Sequence, residues 1–236
     1  MSHPLFLDDA YRTEGPGRVV ALTDEGAVLD ASLFYPASGG QPGDTGVLAW
    51  PEGDVEVVDA RKSEGGAIVL SLGDGPRPVV GTEVVQRIDW ARRHAHMRCH
   101  TALHLLSVVL PFPVTGGAVG MGKGRLDFDM AEPPADLAAV EAALDALVAA
   151  DHPVTAEWVD EAVLDSDPGL VKTLAVRPPR GAGRVRLVRI GAGEPPVDLQ
   201  PCGGTHVART GEVGRLSLGK VEKKGRQNRR VTVLLP

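Results

Sequence analysis

The sequence predicts an α+β protein, with a small antiparallel β-structure first and a mixture of helices and strands after it. Three observations carry this reading. Between Arg18 and Ile88, short apolar runs alternate with Gly, Pro and Asp turn signals, the pattern of an antiparallel sheet or small barrel. From Ala91 to Leu110 no helix breaker occurs, and Pro111 follows, which predicts a helix that stops there. Beyond it, helical and strand-like stretches succeed one another, so the two parts join near Ile88–Arg93.

Taken in order, Arg18–Leu22 and Ala27–Leu29 flank TDEG, and Val47–Trp50 and Val55–Val58 flank PEGD. Ala67–Leu72 and Thr82–Ile88 complete the expected strands of this part. Among them lies LFYPASGGQPGDTG, Leu33 to Gly46, too rich in Gly and Pro for strand or helix. A loop carrying Tyr35, Gln41 and Asp44 is a better functional candidate than the strands around it. After the long helix, TGGAVGMGKG reads as a connector into a strand at Arg125–Met130. Pro133-Pro134 opens a helix over Ala135–Ala150, whose Leu137, Val140, Leu144, Leu147 and Val148 form a core stripe. Val154–Val159, Val185–Ile190, Arg215–Val221 and Arg230–Leu235 read as strands. No internal repeat or low-complexity segment occurs.

The chain has 236 residues, 43% of them hydrophobic, and a mean hydropathy of −0.03, the profile of a globular protein with a sizeable core. Its longest apolar stretch, Ala102 to Val114, is broken by His104, Ser107, Pro111 and Pro113 and is shorter than the ~20 residues of a spanning helix. No membrane association is expected. The N-terminus lacks the basic and apolar regions of a signal peptide, and two cysteines make no disulfide framework, so a reducing cytoplasm is the expected location. A net charge of −6 argues against attachment to nucleic acid by bulk charge, and no DNA partner is expected. Basic residues do cluster locally. Arg92 and Arg93 form one group and Lys223, Lys224, Arg226 and Arg230 another; each is either a solvated face or an RNA-facing patch. No sequence feature specifies an oligomeric state.

The chemistry-bearing stretches are two. In DLQPCGGTHV, Cys202 and His206 are separated by two glycines, which disfavour a regular helix but allow a tight turn. Alone, this is as compatible with a buried thiol beside a surface histidine as with half a metal site. On the long helix His100 and His104 are one turn apart, on one face and about 6 Å apart. Alone, such a pair is more often surface or satisfied core. Together they make a thiolate–imidazole set that suits Zn²⁺ better than oxygen-seeking Mg²⁺ or Ca²⁺. His96 lies a turn before His100, but eight residues of helix rise ~12 Å, so three histidines of that stripe cannot share one ion. His96 has no cysteine partner to recommend it, and Cys99, around the helix from His100, reads as a core thiol.

With FYPASGGQPGDTG upstream, RRHAHMRCHTALHLL followed by DLQPCGGTHVARTGEVG resembles the alanyl-tRNA editing domain, most closely its free-standing form. The resemblance covers nearly the whole chain, with the motifs in the family's order. It implies an N-terminal β-barrel over residues 1–89 carrying the glycine-rich loop, and a two-layer α/β editing domain over 90–236. It implies zinc held by His100, His104, Cys202 and His206. It further implies trans hydrolysis of the ester joining a wrong amino acid, chiefly serine and with glycine as another candidate, to the tRNA for alanine. The chain is too short for a synthetase catalytic domain as well, so editing without charging is expected. The family places a polar residue for the seryl hydroxyl in the segment VTGGAVG, which implies Thr115, with Val114 the neighbouring alternative. Gly39, Gly40 and Gln41 fall in the family's glycine-rich loop and are expected near the substrate.

Four protein ligands close a tetrahedral site, whereas a catalytic zinc keeps a position open. Either one ligand is exchangeable, His206 being the candidate on its turn, or the ion orients the substrate while a free water attacks. Three other readings exist. Peptide-release factors also use GGQ, but the flanks FYPAS and PGDTG lack that loop's basic character. Threonyl-tRNA synthetase editing domains share both metal motifs but not the upstream FYP…GGQ…D.G segment. A zinc-stabilised RNA-binding module without catalysis would have the same ligands and no esterase activity.

Overall fold

The computed structural model describes residues 2–173 and 183–236. The chain divides into two compact units, Met1–His94 and Ala95–Pro236. The first is a closed barrel of strands β1 (Glu14–Thr23), β2 (Gly26–Leu29), β3 (Gly46–Trp50), β4 (Gly53–Lys62), β5 (Ile68–Leu72) and β6 (Glu83–Ile88). Their order is β1-β2-β5-β4-β3-β6, with β6 pairing back to β1, and every pairing is antiparallel. Period-two alternation sends Val55 and Val57 of β4 and Val84 and Ile88 of β6 inward, where they join Val19, Leu29, Leu48 and Leu70 in the core. Closure leaves no free sheet edge.

The Leu33–Gly46 loop is fastened at its base by a buried ion pair. Arg93 and Asp44 are both 0% exposed. Arg93 Nε donates to Asp44 Oδ2 at 2.9 Å, Nη1 to the Ala10 carbonyl at 3.0 Å and Nη2 to the Leu33 carbonyl at 2.7 Å. Asp44 also accepts the Tyr35 N–H at 2.6 Å. These bonds compensate the desolvation that an ion pair suffers in a core. They also correct one expectation: Arg93 presents no charge to RNA, because its guanidinium is fully buried against Asp44 and the carbonyls of Ala10 and Leu33.

The unit division falls within helix α1 (Trp90–Val109), after His94. The second unit holds strands β7 (Val114–Val119) and β8 (Lys123–Asp129), helix α2 (Leu137–Ala149), strands β9 (Val154–Asp160), β10 (Arg184–Ile190) and β11 (Asp198–Pro201), and finally β12 (Ser217–Leu218), β13 (Glu222–Gly225) and β14 (Asn228–Leu234). One sheet runs β12-β14-β8-β7 with β13 on β14, and the other runs β9-β10-β11. Asp136 caps α2, accepting the Ala139 N–H at 3.0 Å.

Three expectations change here. The glycine-rich connector is strand β7 and the start of β8. Its glycines serve close packing: a Cβ on Gly124 would lie 2.4 Å from Cys99 Sγ of α1, and one on Gly117 3.1 Å from Leu126. Only Ser217–Leu218 of the expected strand Arg215–Val221 pairs, and the basic run folds instead as the β13–β14 hairpin. Asp198–Pro201, outside the strands expected from the sequence, is a strand against β10.

Candidate metal centre

Helix α1 and the turn after β11 converge on one point. His100 and His104 lie a turn apart on α1, with ring centroids 5.3 Å apart. Strand β11 delivers Cys202, whose N–H continues the ladder to the Arg186 carbonyl at 3.1 Å. Arg186 Nη1 then donates to the carbonyls of Cys202 and Gly204 at 2.8 and 3.0 Å, pinning the turn that swings His206 back. The ligand atoms of His100, His104, Cys202 and His206 lie within 4.8 Å of one another. Cys202 Sγ is 3.6 Å from His100 Nε2 and 3.3 Å from His206 Nε2. A tetrahedral ion with Zn–N and Zn–S bonds has ligand–ligand edges of about 3.3–3.8 Å, so the residues fit a metal. His96 is buried and outside this group.

A second layer orients the imidazoles. His104 Nδ1 meets Asp198 Oδ2 at 2.9 Å, and Asp198 is held in turn by Lys172 Nζ at 2.5 Å and Gln200 Nε2 at 2.8 Å. His206 Nδ1 lies 3.1 Å from Thr101 Oγ1, which also accepts the Val207 N–H at 3.3 Å. With Nδ1 engaged, each ring turns Nε2 toward the centre, the usual arrangement of a metal-binding histidine.

The buried charges of the cluster act on one another. Burial opposes ionisation of Cys202, but the charges of His100 and His206 and hydrogen bonds from the histidines outweigh it and hold the thiol well below its usual range. Burial and then the charge of His100 push His206 down to about 3. His104 moves the other way: burial disfavours its charged form, yet the bonds to Asp198 and Cys202 raise it to about 9. Asp198 is buried too, but His104 and Lys172 hold it below the ordinary carboxylate range. A borderline-soft cation takes a thiolate and neutral imidazoles, so its binding would displace the proton that the raised His104 holds.

Comparison with known proteins places this geometry. Residues 185–232 match the family described as "Threonyl and Alanyl tRNA synthetase second additional domain", and residues 11–92 match "tRNA synthetases class II (A)". The chain is 33% identical to the alanyl-tRNA editing protein AlaX-M of Methanosarcina acetivorans, over 98% of each chain. It is 31% identical to that of Saccharolobus solfataricus, again over 98% of each. The chain belongs to the alanyl-tRNA editing protein family. It is also 35% identical to the alanine–tRNA ligase of Pyrobaculum neutrophilum over 93% of its own length, but spans only 25% of that ligase.

The other expected site residues of this family member are distributed as follows. Gly39 and Gly40 have φ of 57° and 82° and form the exposed tip of a tight turn closed by the Ser38–Gln41 backbone pair; the left-handed conformation explains glycine there. Gln41 itself is buried. Thr115 lies where β7 bulges against β8; its hydroxyl donates to the Asp127 carbonyl at 3.0 Å and accepts from Asn228 at 2.8 Å. Those bonds tie it to its sheet rather than to the metal cluster. Lys223, Lys224 and Arg226 are exposed on the hairpin, with Lys224 2.5 Å from Glu222. Arg230 is paired with Asp127 at 2.7 Å, and Arg92 Nε donates to the Gly43 carbonyl at 3.2 Å.

Sequence reasoning does not single out Asp198, Lys172, Thr101 or Arg186. One signal existed: in DLQPC, Asp198, Gln200 and Cys202 recur every second residue, so a strand would set all of them on one face. No described helix is long and apolar enough to cross a membrane.

Proposed function

We propose that the protein is a cytoplasmic aminoacyl-tRNA deacylase that acts in trans, hydrolysing the ester of seryl-tRNA for alanine, with zinc as its cofactor. The glycyl ester of the same tRNA is the second candidate substrate. The observation that carries this reading is the thiolate–imidazole cluster in a chain aligned with 98% of each of two relatives named as alanyl-tRNA editing proteins. The proposal takes residues 1–89 as the barrel domain and 90–236 as the editing domain.

His100, His104, Cys202 and His206 would hold the ion, which when bound supplies Lewis-acid polarisation of an oxygen, on the ester or on water. The chain's own residues do the rest. Asp198 and Lys172 fix His104, Arg186 fixes the turn, and Thr101 holds His206, which supports a permanent rather than exchangeable place for it. With all four side chains as ligands the attacking water would not be bound to the ion. Thr115 is the proposed reader of the seryl hydroxyl, and Gly39, Gly40 and Gln41 the proposed substrate loop. Arg92, Lys223, Lys224, Arg226 and Arg230 are the proposed RNA contacts, with Arg230 sharing its charge with Asp127.

Protein purified without added metal should carry about one zinc ion per chain. Stripping it with a chelator should abolish release of serine from the charged tRNA, and zinc should restore it. Stripped protein with undiminished activity would remove zinc from the proposal, and zinc-loaded protein that binds tRNA but releases no serine would make it a binding module.

A further inference from the structure

The sheet that carries the metal-site turn has a face that is covered at one end and open at the other. Its register aligns Val154, Ile190 and Asp198 in one row, and Ala156, Val188 and Gln200 in the next. Directly opposed residues point to the same side of a sheet. Asp198 and Gln200 reach His104 and Ser107 of helix α1, so this is the face the helix packs on, and Val188 and Ile190 are buried there. The following row is Trp158, Arg186 and Cys202: Trp158 opposes Arg186, whose carbonyl accepts the Cys202 N–H at 3.1 Å. At this row the face opens. Trp158 is 46% exposed, and Ala156 and Asp160 on the same side of β9 are exposed with it. The other tryptophans, Trp50 and Trp90, pack against the barrel core. Of the three tryptophans only Trp158 is exposed; Phe112, at 42%, is the other large aromatic held out to solvent among the described residues.

Two strand spacings of ~4.8 Å separate Trp158 from Cys202, so the indole begins about 10 Å across the sheet from a metal ligand. That interval suits one nucleoside whose 3′ oxygen carries an ester at the cluster. Arg184 stands one row further on the same face, opposite Asp160; it is exposed, and its Nη2 donates to the Trp158 carbonyl at 2.9 Å. Its guanidinium is thus fixed at the Trp158 backbone, with donors remaining for a phosphate.

We propose that Trp158 is the stacking platform for the unpaired terminal nucleobase at the 3′ end of the tRNA, with Arg184 beside it for the adjoining phosphate. The inference rests on the editing reading, since it takes the aminoacyl ester as the group delivered to the cluster. An unpaired base offers a π-face whatever its sequence, and stacking on an indole recovers the surface that base and side chain otherwise expose.

The test is equilibrium binding of two acceptor-stem RNAs, one ending in the terminal adenosine and one lacking that nucleotide. Wild type should bind the complete RNA more tightly. Trp158→Ala should lose about five- to hundredfold in affinity for it and no longer distinguish the two, while Trp158→Phe keeps most of the difference. Because stacking is uncharged, the loss should be nearly the same at low and high salt. Zinc content of each variant reports that the fold is intact. Wild-type discrimination that survives unchanged in Trp158→Ala overturns the platform and leaves the editing reading standing. Wild type that neither binds the complete RNA nor hydrolyses its seryl ester overturns both.

Discussion

Asp198 orients the cluster without being one of its four members. It accepts from the imidazole of His104 and is itself held by Lys172 and Gln200, so it sets both the tautomer and the direction of a ligand. Replacing it with Asn keeps the shape and removes the charge that complements His104 and Lys172. Asp198→Asn should weaken zinc binding by about 10- to 100-fold, measured by competition with a chromophoric chelator; unchanged affinity would make the Asp198–Lys172 pair structural only. At this scale the side chains of the cluster were legible in the sequence, because i to i+4 spacing on a helix and two glycines between Cys202 and Thr205-His206 allow convergence. Their partners were not. Whether Asp198 meets His104 depends on the register of β11 against β10, and Arg93 reads as a surface cation until Asp44, far from it in sequence, is placed beside it.

The elements show why glycine-rich sequence misleads. TGGAVGMGKG has the composition of a connector, yet it builds β7 and the start of β8, and at Gly124 a helix passes so close above that a Cβ would not fit without a shift. A Cβ at Gly124 would sit 2.4 Å from Cys99 Sγ and 3.1 Å from Leu103 Cδ1. Gly124→Ala should therefore cost about 1–3 kcal/mol by overpacking, and adding Cys99→Ala should recover part of it. Denaturant midpoints of the single and double variants decide this; strictly additive losses would mean the helix does not press on that strand. The same dependence on tertiary pairing hid the β13–β14 hairpin, whose basic residues lie in sequence as a plain charge run. With Arg229 buried and Arg230 tied to Asp127, the exposed positive charge of the hairpin is Lys223, Lys224 and Arg226. Lys223→Ala with Lys224→Ala should reduce the slope of log affinity for tRNA against log salt by ~0.7–0.9 for each phosphate no longer neutralised; an unaltered slope would make the hairpin a solvated face.

At the scale of the whole molecule, the barrel follows from the strand-like runs before Ile88, and the α+β unit from the helical period of two segments after Trp90 together with the strand period of the runs among and beyond them. What neither period conveys is selectivity. An editing enzyme must release serine and spare alanine, which differ by one hydroxyl, and a pocket can demand that hydroxyl only by leaving its own polar group unpaired when alanine is bound. That loss is ~1–3 kcal/mol, or roughly a fivefold to hundredfold difference in rate. The measurement that bears on the account most directly is single-turnover hydrolysis of seryl- and alanyl-tRNA for alanine by the zinc-loaded protein. Serine released faster by that factor is the predicted result; equal rates on the two esters would contradict the account.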